Sequence, residues 1–247
     1  MDSFFALIPY RPQNPKSRLS GVLSVDQRLK LSRLMFENTI ETLVDSGLNN
    51  IDVILKPTDV DILYYGSIPD SLDDSFFSPE FLTRLNVFRN NGLNLRFLFD
   101  ESSLNDAINS YLESSLDNVL IVMADLPLVR PFVLKRLMLE KENIVIAPGR
   151  GGGTNILKIS NAPDFRVKYY GKSFENHVRE AEKHGYSHSV FDSFYAGTDI
   201  DEPSDLAEIL IHAEGAIYDF VAENFVYESE VKNMRPEIKK KLKSDNE

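Results

Sequence analysis

The sequence contains no cysteine, and only 4 of its 247 residues are histidine. The absence of cysteine excludes a disulfide scaffold, thiolate zinc sites, iron–sulfur clusters and a cysteine nucleophile. The scarcity of histidine argues against a histidine-rich metal site. No apolar run approaches the ~20 residues of a membrane span. Because residues 1–9 include no basic segment, they do not resemble a signal peptide, and we expect a cytoplasmic protein.

Basic residues are also few relative to acidic ones: 27 Lys and Arg stand against 38 Asp and Glu, and the net charge is −11. This charge argues against a protein that coats nucleic acid, so we expect neither a nucleic-acid nor a membrane partner. A hydrophobic content of 43% and a charged content of 26% are typical of a globular protein. The length allows a single α/β domain. We interpret residues 1–247 as one domain, with residues 225–247 as a C-terminal extension or tail.

Short apolar runs alternate with helical patterns along most of the chain. Runs that are apolar throughout are typical of strands in a parallel sheet that is covered on both faces. The sequence therefore predicts an α/β fold, with a mostly parallel mixed sheet and helices on both faces. Residues 231–247 are rich in Lys and Arg and are interpreted as a solvated, partly frayed helix or tail. The predicted strands are residues 4–8, 51–55, 62–65, 95–99, 119–123, 144–147 and 155–159, and the predicted helices are residues 79–91, 104–112, 131–139 and 174–183, with one more between Ser24 and Gly47.

Three basic residues follow the first predicted strand. Arg11, Lys16 and Arg18 lie within eight residues in a chain that is acidic overall. Ligands of open parallel sheets bind beyond the carboxyl ends of the strands, where this segment is expected to lie. Arg can donate two parallel hydrogen bonds to phosphate oxygens, and Lys supplies a compact positive charge, so the cluster suits a nucleoside triphosphate. The alternative is a solvated loop with chance basic residues, and the chain has no Gly-x-x-x-x-Gly-Lys-Ser/Thr loop.

Carboxylates follow two further segments that are predicted to reach the same edge of the sheet. Asp125 comes shortly after the strand at residues 119–123, and Asp199 and Asp201 lie on the same side of an extended segment. Together, Asp125 and Asp201 would form a two-carboxylate site for Mg²⁺ bound to phosphates. On local sequence alone, a helix cap explains each of them equally well.

Residues 149–155 are rich in glycine. Consecutive glycines allow backbone N–H groups to approach an anion closely. The alternative for this segment is a flexible turn.

Six short segments, in order along the chain, resemble the family of 2-phospho-L-lactate guanylyltransferase, which acts in deazaflavin coenzyme biosynthesis. The resemblance spans residues 8–206 and implies a Rossmann-like, GT-A-type nucleotidyltransferase fold, similar to that of molybdopterin guanylyltransferases. It also implies a reaction, in which GMP passes from GTP to the phosphate of 2-phospho-L-lactate. The products would be lactyl-diphospho-guanosine and pyrophosphate. The segments are residues 14–20, 104–107, 124–127, 151–155, 170–174 with His177, and 199–206.

The resemblance implies a role for individual residues. The triphosphate would contact Lys16 and Arg18, and Asn105 would lie near the guanine or the ribose. The four histidines are interpreted as surface or capping residues, although His177 matches the family pattern and is a candidate for ordering the turn at Ser173. The implied sets are Lys16, Arg18 and Asp125 for catalysis; Arg11, Lys16, Arg18 and Asn105 for the nucleotide; Asp125, Asp201 and Asp199 for Mg²⁺; and Thr154, Gly171 and Ser173 for the acceptor.

Two alternatives stay open from the sequence. The first is a related nucleotidyltransferase that uses phosphoenolpyruvate, 3-phosphoglycerate or a molybdopterin as the acceptor. The second is a non-catalytic nucleotide-binding protein on the same fold, since a fold does not by itself imply a function. The presence of Lys16, Asp125 and Asp201 argues against the second. We expect a homodimer, which is the commonest oligomeric state.

Overall fold

A seven-stranded sheet forms the centre of the fold in the computed structural model, which describes residues 4–11, 15–57, 77–114, 118–228 and 237–240. The predicted strand at residues 62–65 lies outside the described residues. The strands are β1 (Phe5–Pro9), β2 (Asn50–Leu55), β3 (Asn94–Phe99), β4 (Asn118–Val122), β5 (Ile144–Pro148), β6 (Thr154–Ser160) and β7 (His188–Val190). In space they follow the order β3-β2-β1-β4-β6-β5-β7.

The sheet is mixed and mostly parallel. Strand β6 is antiparallel to its neighbours β4 and β5, whereas the other pairs of this sheet are parallel. The predicted mixed sheet is therefore confirmed. From β1 the chain builds the sheet outward through β2 and β3, and it then returns to place β4 on the other side of β1. The strand order thus reverses between β1 and β4, which is where α/β sheets of this kind form a crevice for ligands.

Helices connect most of the strands. Helix α1 begins with the capping box that the sequence predicts: Ser24 Oγ accepts from Gln27 N at 3.2 Å, and Ser24 N donates to Gln27 Oε1 at 2.9 Å. It ends just before Gly47, whose φ of 96° favours glycine. The helices are α1 (Val25–Asp45), α2 (Pro79–Asn90), α3 (Leu104–Ser114), α4 (Pro131–Leu139), α5 (Ser173–Lys183), α6 (Phe194–Gly197), α7 (Leu206–His212) and α8 (Ala216–Asn224), with 3₁₀ turns at Ser17–Gly21 and Pro203–Asp205.

Both faces of the sheet are covered, as the apolar strands predict. One face packs against α1, α2 and α4, with Phe36 and Phe81 among its buried side chains. The opposite face packs against α3 and α5, with Ile108 and Ala181 buried there. A third cluster joins α1 to α7 and α8 beside the sheet. None of the helices among the described residues is long and apolar enough to span a membrane.

The C-terminal segment differs from the predicted helix or tail. Strand β8 (Phe225–Glu228) pairs with β9 (Glu237–Lys240) in a two-stranded antiparallel sheet. The backbone of β9 passes beside α7 and the turn Pro203–Asp205. The prediction of a helix was therefore wrong for residues 237–240. The sequence Glu-Ile-Lys-Lys has a single apolar residue, so its hydrophobic pattern does not reveal a strand, and the pairing with β8 satisfies its backbone groups.

Candidate functional site

A cleft of about 360 Å³ opens at the carboxyl ends of β1 and β4. These strands are parallel neighbours, so the segments that follow them meet at one edge of the sheet. The predicted residues Arg11, Lys16, Arg18, Asp125 and Asp201 all line this cleft. The structure thus brings together side chains from three distant parts of the chain. The remaining lining residues are Pro9, Tyr10, Pro15, Ser17, Ser32, Met35, Met123 and Ala124.

Lys16 joins the two carboxylates of the cleft. Its Nζ lies 2.6 Å from Asp125 Oδ2 and 2.8 Å from Asp201 Oδ1, and only 10% of its side chain is exposed. Burial by itself lowers the pKa of the Lys16 ammonium, but the charges of Asp125 and Asp201, which also accept its hydrogen bonds, outweigh burial and raise the pKa. Lys16 is therefore a fixed positive charge between the two carboxylates of the cleft.

The backbone at Lys16 explains how its side chain reaches the cleft. Lys16 adopts a left-handed conformation, with φ 53° and ψ 47°. For a residue with a Cβ this conformation costs roughly 1–2 kcal/mol. Its neighbours hold it in place: Leu19 N donates to Lys16 O at 2.8 Å, and Arg28 Nη1 donates to Pro15 O at 2.9 Å. Strain of this kind is often retained at functional sites, where it places one side chain.

Neither Asp125 nor Asp201 caps a helix. The N-cap of α4 is Arg130, and the turn Pro203–Asp205 begins with a reciprocal pair between Glu202 and Asp205. Because Asp205 Oδ2 accepts from Asp201 N at 2.9 Å, the Asp201 carboxylate is left to face Lys16. The capping alternative is therefore wrong for both residues.

Asp199 lies near this pair without joining it. Burial, and then the charges of Asp125 and Asp201, raise the pKa of the Asp199 carboxyl, and a hydrogen bond from Asn155 partly offsets the effect. Within the residues that the structure describes, no group of three or more His, Asp or Glu side chains converges as a metal site. The three predicted metal residues are thus neighbours, but they do not form one cluster.

The pair Asp125 and Asp201 fits a hard divalent cation. Both offer carboxylate oxygens, and after burial their negative charges contribute to the raised pKa of the Asp199 carboxyl. Mg²⁺ is usually bound by one or two carboxylates, with waters and substrate phosphates as the other ligands.

Two arginines border the cleft. Arg18 Nη1 lies 3.5 Å from Asp201 Oδ2, and its side chain is 66% exposed. An exposed pair of this kind contributes less than about 1 kcal/mol, so Arg18 can exchange it for a phosphate. Arg11 Nη2 donates to Ser102 O at 3.2 Å, which ties the segment after β1 to the loop before α3.

Asn105 does not line the cleft. Its Oδ1 accepts a hydrogen bond from Tyr169 N at 2.7 Å. Asn109, one turn further along α3, exchanges two hydrogen bonds with the backbone of Val167. Helix α3 therefore holds the segment that precedes Gly171. The Asn105 amide nitrogen makes no hydrogen bond to a described residue and can still donate to a base or a ribose.

The predicted acceptor residues form a second group beside the glycine-rich loop. Thr154 opens β6 and Ser173 opens α5, and both are buried. Phe174 N donates to Gly152 O at 3.3 Å, which joins the loop to the start of α5. Gly171 has a φ of 76°, which favours glycine. None of the three predicted acceptor residues lines the cleft.

The interpretation of the histidines was wrong for His177. Its side chain is fully buried in α5, between the rings of Phe165 and Tyr169. Its Nδ1 lies 2.9 Å from Thr154 Oγ1, and its Nε2 accepts from Lys168 N at 3.0 Å. The sequence around it, Ser-Phe-Glu-Asn-His-Val-Arg-Glu, is mostly polar, so hydrophobic periodicity could not reveal this burial.

Asn155 is a further residue to which the sequence analysis gave no role. Its Nδ2 donates to Ala196 O at 2.9 Å and to Asp199 Oδ1 at 3.4 Å. A Cβ at Gly149 would lie 2.5 Å from Asn155 Oδ1, so Gly149 provides the space for this side chain. The motif Gly-Gly-Gly-Thr-Asn was the only feature of the sequence that singled out Asn155, and it predicted anion binding rather than this contact.

We expect protein stability to fall in mild acid because of His177. Burial lowers the pKa of the His177 imidazole to about 4 from 6.5, and the Glu180 charge offsets only part of this. The neutral ring therefore stabilises the fold above pH 6.5, and this contribution is lost as the pH falls toward 4. Between pH 7 and pH 5 the free energy of unfolding should fall by about 2 kcal/mol from this group alone.

Urea unfolding at several pH values tests this expectation, with the His177→Asn variant as the comparison. The variant should lose less stability than the wild type over the same interval. Equal pH dependence in the two proteins would contradict a neutral, buried His177.

The sequence is similar to one family of known proteins. Residues 83–237 match the family described as "Guanylyl transferase CofC like". The 2-phospho-L-lactate guanylyltransferase of Methanosarcina barkeri is 42% identical over 220 residues, which cover 89% of this chain and 92% of the relative. The enzyme of the same name from Methanosarcina mazei is 40% identical over the same shares of the two chains.

The fold is similar to that of a solved nucleotidyl transferase from Methanothermobacter thermautotroptrophicus. The TM-score is 0.56 at 13% sequence identity, and the superposition covers 91% of this chain and 100% of the other. At this identity the likeness concerns the fold alone. The predicted Rossmann-like α/β fold of nucleotidyltransferases is confirmed.

Proposed function

Because the chain belongs to the CofC-like family of guanylyl transferases, we propose that it transfers GMP from GTP to the phosphate of 2-phospho-L-lactate. The products are lactyl-diphospho-guanosine and pyrophosphate, and the reaction is a step of deazaflavin coenzyme biosynthesis. The observation that carries the proposal is the contact of Lys16 with Asp125 and Asp201 at the point where the strand order reverses. One cation and two carboxylates therefore lie at the edge where ligands bind on such a sheet, which supports the proposal.

The chemistry needs no nucleophilic side chain. An oxygen of the acceptor's phosphate, already an anion, attacks the α-phosphorus of GTP in line and forms the new P–O bond. The bond from the α-phosphorus to the bridging oxygen breaks, and pyrophosphate leaves with the electron pair. No proton has to be removed, so no general base is required. The barrier consists mainly of charge repulsion and alignment.

The side chains of the cleft reduce the charge repulsion between the acceptor and the triphosphate. Lys16 and Arg18, with Arg11 at the rim, neutralise the triphosphate and the departing pyrophosphate. Asp125 and Asp201 would hold Mg²⁺, which when bound supplies positive charge at the α-phosphate. We propose that Asn105 donates from its amide nitrogen to the base or the ribose. The acceptor is bound by Thr154, Gly171 and Ser173. We further propose that the working form is a homodimer, the commonest state of soluble oligomers.

Pyrophosphate release with Mg²⁺ tests the proposal. Each of the four nucleoside triphosphates is paired with 2-phospho-L-lactate, phosphoenolpyruvate, 3-phosphoglycerate and a molybdopterin. We expect release only with GTP and 2-phospho-L-lactate, and loss of release with EDTA. Release with GTP and another acceptor would support guanylyl transfer but contradict 2-phospho-L-lactate as the acceptor. No release with any pair, from folded protein, would overturn the proposal in favour of a binding protein.

A further inference from the structure

The protonation of His177 follows from its hydrogen bonds. A backbone N–H can only donate, so the 3.0 Å contact from Lys168 N makes Nε2 of His177 an acceptor that carries no proton. A ring with one unprotonated nitrogen is neutral, and its single proton is on Nδ1. His177 therefore donates from Nδ1 to Thr154 Oγ1 at 2.9 Å.

This hydrogen bond determines what the Thr154 hydroxyl can do. Its oxygen accepts a hydrogen bond from His177 Nδ1–H, and its own hydrogen has no acceptor among the residues that the structure describes. The nearby Ser173 hydroxyl also makes no hydrogen bond to a described residue. A Cβ at Gly153 would lie 3.9 Å from Ser173 Oγ, so this hydroxyl lies against the glycine-rich loop. Two hydroxyl donors without acceptors therefore remain on either side of the same loop.

The strand register brings Thr154 to the edge of the sheet at which the cleft opens. Val122, at the end of β4, pairs with Ile156, and Met123 N donates to Asn155 O at 3.0 Å. Thr154 is the next residue of β6 toward the edge, level with the turn that carries Asp125. A ligand bound at Asp125 thus has Thr154 on the adjacent strand.

We propose that His177 is a positioning residue that makes the Thr154 hydroxyl a hydrogen-bond donor to the anionic acceptor substrate. The proposal rests on the proposed function, and it adds the residue that orients the Thr154 hydroxyl. With its oxygen engaged by His177, Thr154 favours groups that accept hydrogen bonds, such as a carboxylate or a phosphate, over groups that donate them. The ring cannot readily turn to release Thr154, because Lys168 N and the rings of Phe165 and Tyr169 hold it.

Nuclear magnetic resonance of ¹⁵N-labelled histidine in the wild-type protein tests the first step. We expect one histidine with a protonated Nδ1 and an unprotonated Nε2, and its signals should be missing from the spectrum of His177→Gln. If Nε2 of His177 carries the proton, the proposal is overturned. This measurement needs no active variant.

Steady-state kinetics of matched variants test the second step. A hydrogen bond to a charged group predicts that Thr154→Val raises the KM for the acceptor by about 10- to 100-fold, whereas Thr154→Ser retains it. The KM for GTP should stay within about threefold in both. His177→Asn can keep a donor near the Nδ1 position, whereas His177→Gln places its amide near Nε2. The acceptor KM should therefore rise by about tenfold in His177→Gln and recover in His177→Asn.

The outcomes separate this inference from the function on which it rests. A wild type that releases no pyrophosphate with any pair of substrates overturns the proposed function, and with it the role of Thr154 toward a substrate. An active wild type, with a Thr154→Val variant whose acceptor KM is unchanged, overturns the inference alone. Equal rises in the KM for GTP and for the acceptor also contradict it, since they indicate a general disturbance of the site.

Discussion

Replacing Asp125 by Asn is expected to lower kcat/KM by about 10³-fold or more with little change in the fold. The substitution keeps the size of the side chain but removes the charge that lies 2.6 Å from Lys16 Nζ and that would bind the metal. Asp125 is 31% exposed, and Lys16 keeps its contact with Asp201, so stability should change by less than about 1 kcal/mol. Pyrophosphate release checks the expected loss of kcat/KM, and thermal unfolding of the same preparation checks the expected stability.

Asp45→Asn provides the matched control. Asp45 is an exposed aspartate at the end of α1, which leads into the start of β2 and therefore lies at the opposite edge of the sheet. The control should retain the wild-type kcat/KM. If Asp125→Asn also retains near-normal turnover, Asp125 does not belong to the metal site, and the proposed chemistry would have to use other ligands.

The largest effect on stability is expected for Phe36→Ala. Phe36 is fully buried in α1 and stacks on Tyr10 with 4.1 Å between the ring centroids. It also stacks on Phe77, with 6.2 Å between the ring centroids. Truncation of a buried Phe costs about 3–5 kcal/mol, because apolar contact is lost and a cavity remains. For a chain of this size that corresponds to a fall in Tm of roughly 10 °C.

Phe132→Ala is the control, since Phe132 is 52% exposed on the surface. It should change the free energy of unfolding by less than about 1 kcal/mol. Phe36 also supports the cleft, because Tyr10 is one of its lining residues and accepts a hydrogen bond from Ser32 at 3.4 Å. A Phe36→Ala variant as stable as the control would mean that the side chains around Tyr10 repack without loss.

The helices and strands from β1 to α5 could be predicted because their signals are local. The Ser24–Gln27 capping box and Gly47 define the ends of α1 within the helix itself and its immediate flanks. Strand β4 is apolar from Val119 to Val122, and Asp125 follows it within three residues. The carboxyl ends of parallel strands meet at one edge, so the location of the cleft followed from the strand pattern alone.

The contacts within the site could not be predicted in the same way. Lys16 is separated from Asp125 by 109 residues and from Asp201 by 185, and no local pattern encodes those distances. The capping alternatives for Asp125 and Asp201 were compatible with local sequence, and the structure excludes them because Arg130 and Glu202 occupy the N-cap positions. Likewise, the residues 237–240 became a strand because β8 was available as a partner.

The sequence by itself determined the class of fold, the edge of the sheet that binds ligands and the residue types that suit a nucleotide and Mg²⁺. These features depend on backbone propensity, hydrophobic periodicity and side-chain chemistry, which act over a few residues. Only the tertiary structure decided that Lys16 bridges the carboxylates and that His177 is buried against Thr154. A charge or a hydrogen-bonding ring is stable in such a place only when its partners arrive from distant segments, and packing alone brings them there.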